Sequence, residues 1–349
     1  MDEILRKLTG TVGLTGMEEP ASRLVCELWE TLVDELHVDR LGSVVGLKRG
    51  DGEDGKRLRL VVLGHLDQIG LMVQKIEPGG FLRLQMVGGV DRRILPGQLL
   101  TVYGAEPVQG VVGAVPPHLQ KPDEQKKVPT WHDLYLDTGL PEREVKRRIR
   151  VGDPVGYPTS YVELQNGRRA MAGADDRSAV AAITWALELA RRQRHTHDIY
   201  AVAEVQEEWT GLGAATAAFG LEPDCALVID VDQGRHEGVA EKDSLELGKG
   251  PSVTHGLNNH PELVEAALAV AAAQNIPHQK FFWPSPYGTD GATVETLHTG
   301  IPTINFGIPL RYMHSTVEVL DIEDVKNAGR LILAVADAEG LPVVGPVDW

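Results

Sequence analysis

Cysteine is nearly absent: Cys26 and Cys225 are the only two in 349 residues. Two thiols exclude a disulfide framework and a cysteine metal cage, and each reads as a buried apolar filler. Basic charge is also short. Lys plus Arg number 34 against 50 for Asp plus Glu, a formal net charge of −16. Such a charge repels phosphate backbones and anionic membrane surfaces, so neither nucleic acid nor membrane is an expected partner. No run approaches the ~20 apolar residues of a membrane span. The first residues, Met1 to Lys7, read as a charged amphipathic helix without the basic start, apolar centre and cleavage site of a secretion signal. The expected location is the cytoplasm.

What is present describes an ordinary globular chain, 42% hydrophobic and 24% charged, with a length that suggests about two domains. Short, mostly apolar runs predict central strands at Leu58 to Gly64, Ile199 to Val205, Cys225 to Ile229 and Pro302 to Phe306. Between them, a period near 3.6 predicts helices at Ser178 to Arg192, Pro261 to Gln274 and Asp324 to Ala338. This alternation implies an α/β fold, a doubly wound, mostly parallel sheet flanked by helices. Residues 73–159 differ, with glycine turns and short strands, one amphipathic helix near Pro141 to Arg150, and a Pro- and Lys-rich exposed loop at Pro116 to Pro129. They predict a small β-barrel-like domain inserted into a discontinuous catalytic domain, residues 1–72 and 160–349.

Polar residues punctuate the ends of the predicted strands: His65, Asp67, Asp175, Glu207, Glu208, Asp230 and His314. Open sheets of this kind bind ligands beyond the carboxyl ends of their strands. Two imidazoles and several carboxylates, without thiolates, suit a divalent ion such as zinc, cobalt or manganese. One bridging carboxylate and two further ligands per ion need five residues, which His65, Asp175, Glu208, Asp230 and His314 supply. Asp67, two residues after His65, then falls where it could orient that imidazole. Glu207 adjoins a ligand and could move a proton. Taken singly, each residue has a plainer reading as a helix cap, a core histidine or a surface pair, and spacing alone leaves the two readings balanced. His118, His132, His195, His197 and His236 fall in loops or polar flanks and receive no role, and His255 reads as structural. A pocket for acidic side chains would need a cation, for which Arg177 and Arg311 are the candidates.

Six stretches together carry a resemblance. They are Gly64 to Val73 around His65-Leu66-Asp67, Ala174-Asp175-Asp176-Arg177, Val205-Gln206-Glu207-Glu208, Ile229-Asp230-Val231, and Gly288-Thr289-Asp290-Gly291 with Gly307 to Ser315. In order across nearly the whole chain, they resemble the tetrahedral aminopeptidases, dinuclear metallopeptidases also called glutamyl or deblocking aminopeptidases and sometimes labelled endoglucanases. The resemblance implies two divalent ions per chain, zinc or cobalt. His65 and Asp230 would hold one, Glu208 and His314 the other, and Asp175 would bridge. Glu207 would be the general base and acid, Asp67 the residue orienting His65, and the Asp175-Asp176 peptide bond cis. It further implies short peptide substrates, a dimerisation role for the insertion, and assembly of dimers into a dodecamer.

Five positions depart from the family pattern: Gln68 for Glu, the lack of a Gly near Ala179, Trp209-Thr210 for Val-Gly and Thr316 for Pro. The ligand set and base are intact, so fine specificity is the property these departures put in question. The rival chemistries are an N-acyl amidohydrolase or carboxypeptidase on the same site, and an inactive scaffold. A glycoside hydrolase needs two facing carboxyls and no imidazoles, and Glu207 and Glu208 would diverge in a regular strand.

Overall fold

The computed structural model describes residues 1–121, 126–158, 160–284 and 288–342. Part of the exposed loop expected at 116–129 therefore lies outside the described residues. One mixed sheet of eleven strands forms the larger unit. At its centre, Asp198–Glu204, Arg59–His65, Cys225–Gln233 and Thr303–Arg311 run parallel, as apolar runs joined by helices should. Antiparallel pairs extend it at both edges: Glu35–Val38 and Val44–Lys48 beyond Asp198–Glu204, and Glu318–Asp321, Arg168–Met171 and Tyr161–Glu163 beyond Thr303–Arg311. These edge strands are short and carry charge, which the pattern of apolar runs does not detect.

Alternation along the central strands explains why both faces are covered. In Arg59–His65, Leu60 and Val62 join the core under helices Ala174–Ala190 and Ile322–Ala336, whereas Val61 and Leu63 pack with Ala214, Ala217 and Ala218 of helix Leu212–Leu221. All four are fully buried, each contributing about 1.5–3 kcal/mol relative to exposure. Gly64 is required by the same packing. A Cβ there would lie 2.7 Å from the Ala179 Cβ, so a side chain would push helix Ala174–Ala190 off the sheet.

The second unit is a closed six-stranded barrel made by Gly70–Ile76, Leu82–Val87, Tyr135–Asp137, Pro107–Gly113, Leu99–Tyr103 and Pro154–Gly156. Its separate core includes Leu71, Leu82, Leu100, Val102, Leu136 and Val155. Helix Glu142–Arg148 belongs to this segment. The barrel leaves the sheet directly after His65, which brings its first turn to the edge where the polar residues collect.

His195 and His197, which the sequence leaves without a role, are buried. The Leu58 N–H donates to His197 Nδ1 at 3.2 Å, and His197 Nε2 lies 3.0 Å from the Ala338 carbonyl, so the ring serves as a neutral acceptor and donor. Burial lowers the pKa of both imidazoles below 6.5. The unfolded chain therefore binds protons that the folded chain refuses, and the stabilisation is full above pH 6.5 and lost as pH falls through the depressed folded values. In urea titrations, the stability advantage of the wild type over His197→Gln should shrink between pH 7.5 and pH 5.5. An equal or larger advantage at pH 5.5 contradicts this.

Candidate metal centre

The seven polar residues singled out in the sequence come to one edge of the sheet. His65 closes strand Arg59–His65, and Asp230 lies on Cys225–Gln233 one strand away. Asp175 lies at the kinked start of Ala174–Ala190, after Gly173 with φ +71°; Asp175 and Asp176 themselves are not helical, and the peptide bond between them is cis. Glu207 and Glu208 do not continue the strand before them. Gln206 adopts a left-handed φ of +64°, and the two glutamates begin the short helix Glu207–Thr210. His314 sits after strand Thr303–Arg311 with φ +61°. On the barrel side Gly89 is close against its ring, and a Cβ there would lie 2.7 Å from His314 Nδ1.

Two groups of potential ligand atoms emerge, His65 with Asp175 and Asp230, and Asp175 with Glu208 and His314, each drawn together within 4.8 Å. Asp175 belongs to both. Its Oδ1 is 3.2 Å from His65 Nε2, and its Oδ2 is 3.1 Å from His314 Nε2. His314 Nε2 is also 3.4 Å from Glu208 Oε1. Glu207 stands beside both groups without joining either, its Oε2 3.8 Å from His65 Nε2. These groups line a cleft of about 320 Å³, whose rim includes Trp209, Thr289 and Met313. Trp209, a departure from the family pattern, is 66% exposed there.

Asp67 is fully buried and does more than the sequence suggests. His65 Nδ1 lies nearer its main-chain carbonyl, at 3.1 Å, than its carboxylate, at 3.5 Å. A carbonyl only accepts, so Nδ1 carries the hydrogen and Nε2 is the nitrogen free to face Asp175 and a cation. The carboxylate accepts from the N–H groups of Glu207 and Glu208 at 3.0 and 3.2 Å, and from Thr15 Oγ1 at 2.7 Å. It therefore fixes the turn that presents both glutamates.

The electrostatics are those of a site short of positive charge. Burial pushes Glu207 up to about 9, and burial and the Asp175 charge raise Asp230 well above the usual carboxylate range although His65 opposes them. Hydrogen bonds to Asp175 and Glu208 push His314 up to about 11. Burial alone would raise Asp175, but hydrogen bonds from His314 and His65 hold it below the ordinary range. Five clustered carboxylates with two imidazoles fit divalent cations, whose charge reverses the burial penalty.

One expectation about a neighbouring residue changes. Arg177 cannot meet a substrate: it is fully buried, and its guanidinium donates to the carbonyls of Leu66, Leu8 and Thr11. Arg311 Nε donates to the Arg235 carbonyl at 2.7 Å. Glu318, which the sequence leaves unremarked, is buried beside the cluster. Burial and the Asp175 charge push it up to about 8, against the pull of the backbone N–H groups of Asp175, His314 and Ala174. Its position four residues after His314 is the one signal in the sequence.

A family model described as M42 glutamyl aminopeptidase matches residues 42–331. The lysyl aminopeptidase of Pyrococcus furiosus is 34% identical over 342 residues, covering 96% of each chain. Among solved structures, an aminopeptidase of the archaeon Desulfurococcus kamchatkensis superposes with TM-score 0.91 at 35% identity, covering 99% of this chain and 98% of that one. The TET1 peptidase of Pyrococcus horikoshii gives TM-score 0.82 at 26% identity over 96% and 98% of the two chains, and that peptidase can assemble into a tetrahedron or a large octahedral shell.

Proposed function

Because the chain belongs to the M42 glutamyl aminopeptidase family, we propose that this metal-dependent aminopeptidase takes residues from the N-termini of short peptides at the Asp175 cluster. His65 and Asp230 would hold one divalent ion, Glu208 and His314 the other, with Asp175 between them. The observation that carries this is the membership of Asp175 in both ligand groups, since one carboxylate can offer an oxygen to each of two ions. Zinc or cobalt suits the mixture of imidazole and carboxylate donors. When bound, the ion pair supplies a Lewis acid that polarises the scissile carbonyl and lowers the pKa of water.

The chain's own residues do the rest. Glu207 takes the proton of the attacking water on its carboxylate and returns it to the leaving amine. Asp67 holds Glu207 and Glu208 through their backbone N–H groups and keeps the hydrogen of His65 on Nδ1 through its carbonyl. Trp209 and Met313 border the space where a substrate side chain would lie.

The test is a panel of free and N-acetylated aminoacyl-p-nitroanilides, before and after chelation. Free-amine substrates alone should be cleaved, with activity lost to chelator and restored by zinc or cobalt. Cleavage of blocked substrates alone would make the enzyme an N-acyl amidohydrolase or an endopeptidase instead.

Residues 73–159 are read as the dimerisation domain of the chain, with residues 1–72 and 160–349 as the catalytic domain and a dodecamer built from dimers as the assembly. Supporting this, the barrel presents Leu99 (59% exposed) directly across from Val111, and also leaves Phe81 and Met86 exposed. Sedimentation should give a particle many times the 37.9 kDa of one chain, and a monomer would refute the assembly. The cytoplasm is the proposed location; among the described residues no helix is long and apolar enough to cross a membrane.

A further inference from the structure

Glu318 is the point at which two separate segments of the centre are tied together. It lies on strand Glu318–Asp321, is 2% exposed, and aims both carboxylate oxygens back at the cluster. Its Oε2 accepts from the N–H groups of Ala174 at 2.8 Å and Asp175 at 3.3 Å, and its Oε1 accepts from the N–H of His314 at 2.9 Å. One side chain thus grips the backbone of the residue common to both ligand groups and that of a histidine from the second group.

The two gripped segments need such a partner. Gly173 and His314 both have left-handed φ angles, +71° and +61°, and Tyr312 has +60°. Non-glycine residues adopt this region only where the surroundings hold them there. The N–H groups of Ala174 and Asp175 precede a kink, where Asp175 (φ −78°, ψ 108°) and Asp176 (φ −118°, ψ 34°) leave the helical conformation, and buried donors of this kind need an acceptor. Glu318 satisfies these donors and fixes the loop end in the same contact.

We propose that Glu318 is a positioning residue that sets Asp175 and His314 at the spacing two ions require, and that it does so as an acceptor at both oxygens. The inference rests on the reading of two ions sharing Asp175. Glutamine cannot replace it: its amide has one accepting oxygen, so the NH2 end must face an N–H donor of one segment or the other. Removing such a supporting bond from a ligand typically costs 10–100-fold in metal affinity.

The experiment is titration of metal-free protein with cobalt, followed by visible absorption and by competition with a chromophoric chelator. Wild type should take up two ions per chain, and His314→Ala one; fewer than two in wild type would overturn the two-ion reading itself. With that reading standing, Glu318→Gln should bind at least one ion about 10–100-fold more weakly, with an altered cobalt spectrum and activity restored by excess cobalt. Two ions bound at wild-type affinity with an unchanged spectrum would overturn the positioning role. Thermal melts of the metal-free forms separate this from unfolding. If Glu318→Gln melts below the assay temperature, Glu318→Asp takes its place, since its shorter chain cannot span both segments, and the same two outcomes decide.

Discussion

Glu207→Gln should lower kcat by about 10²–10⁴-fold, the usual contribution of a general acid–base group, while the purified variant carries as many ions as the wild type. The second half of that expectation is what gives it force. Glu207 belongs to neither ligand group, and the contact that holds its backbone, the N–H donated to Asp67, is untouched by the change. The amide keeps the shape of the carboxylate and loses only its ability to take a proton. Glu208→Gln, one residue along, alters a side chain of the second ligand group and should lose metal as well as activity. Equal turnover in Glu207→Gln and wild type, both metal-loaded, would remove the proton-transfer role. Loss of metal from Glu207→Gln would instead make Glu207 a ligand.

Much of this arrangement is legible in the sequence because it follows from periodicity. Leu60 to Leu63 alternate between two helix layers, so the run reads as a central strand, and the polar residues that end such runs meet at one edge. Local backbone conformation is less visible. The glutamates follow a strand, but Gln206 turns left-handed and places them on a helix, so their divergence in a strand is no argument about their chemistry. Asp67 sits two residues from His65, yet its carboxylate serves residues about 140 positions away. Arg177 resembles a candidate substrate cation until its burial among three carbonyls is seen. Glu318 reads as one residue of a short strand, and its acceptor role depends on N–H groups 144 and 143 positions earlier. Contacts to backbone leave no pattern of residue types, so supporting residues of this kind stay hidden where ligands do not.

Asp175→Ala should have the widest effect of any single substitution at the centre. His314→Ala removes a ligand from one group and leaves His65, Asp175 and Asp230 intact, so one ion should remain. Asp175 is common to both groups, and its two oxygens face different imidazoles, Oδ1 toward His65 and Oδ2 toward His314. On the two-ion reading, its loss would take a ligand from each ion and also the negative charge that would let two cations lie close together. Hydrolysis should fall to background, and metal analysis after dialysis should find fewer ions per chain than in His314→Ala. The double variant should be no worse than Asp175→Ala alone, because residues that act as one unit do not contribute additively. An Asp175→Ala protein that keeps two ions per chain would mean that the two groups are separate sites rather than one centre.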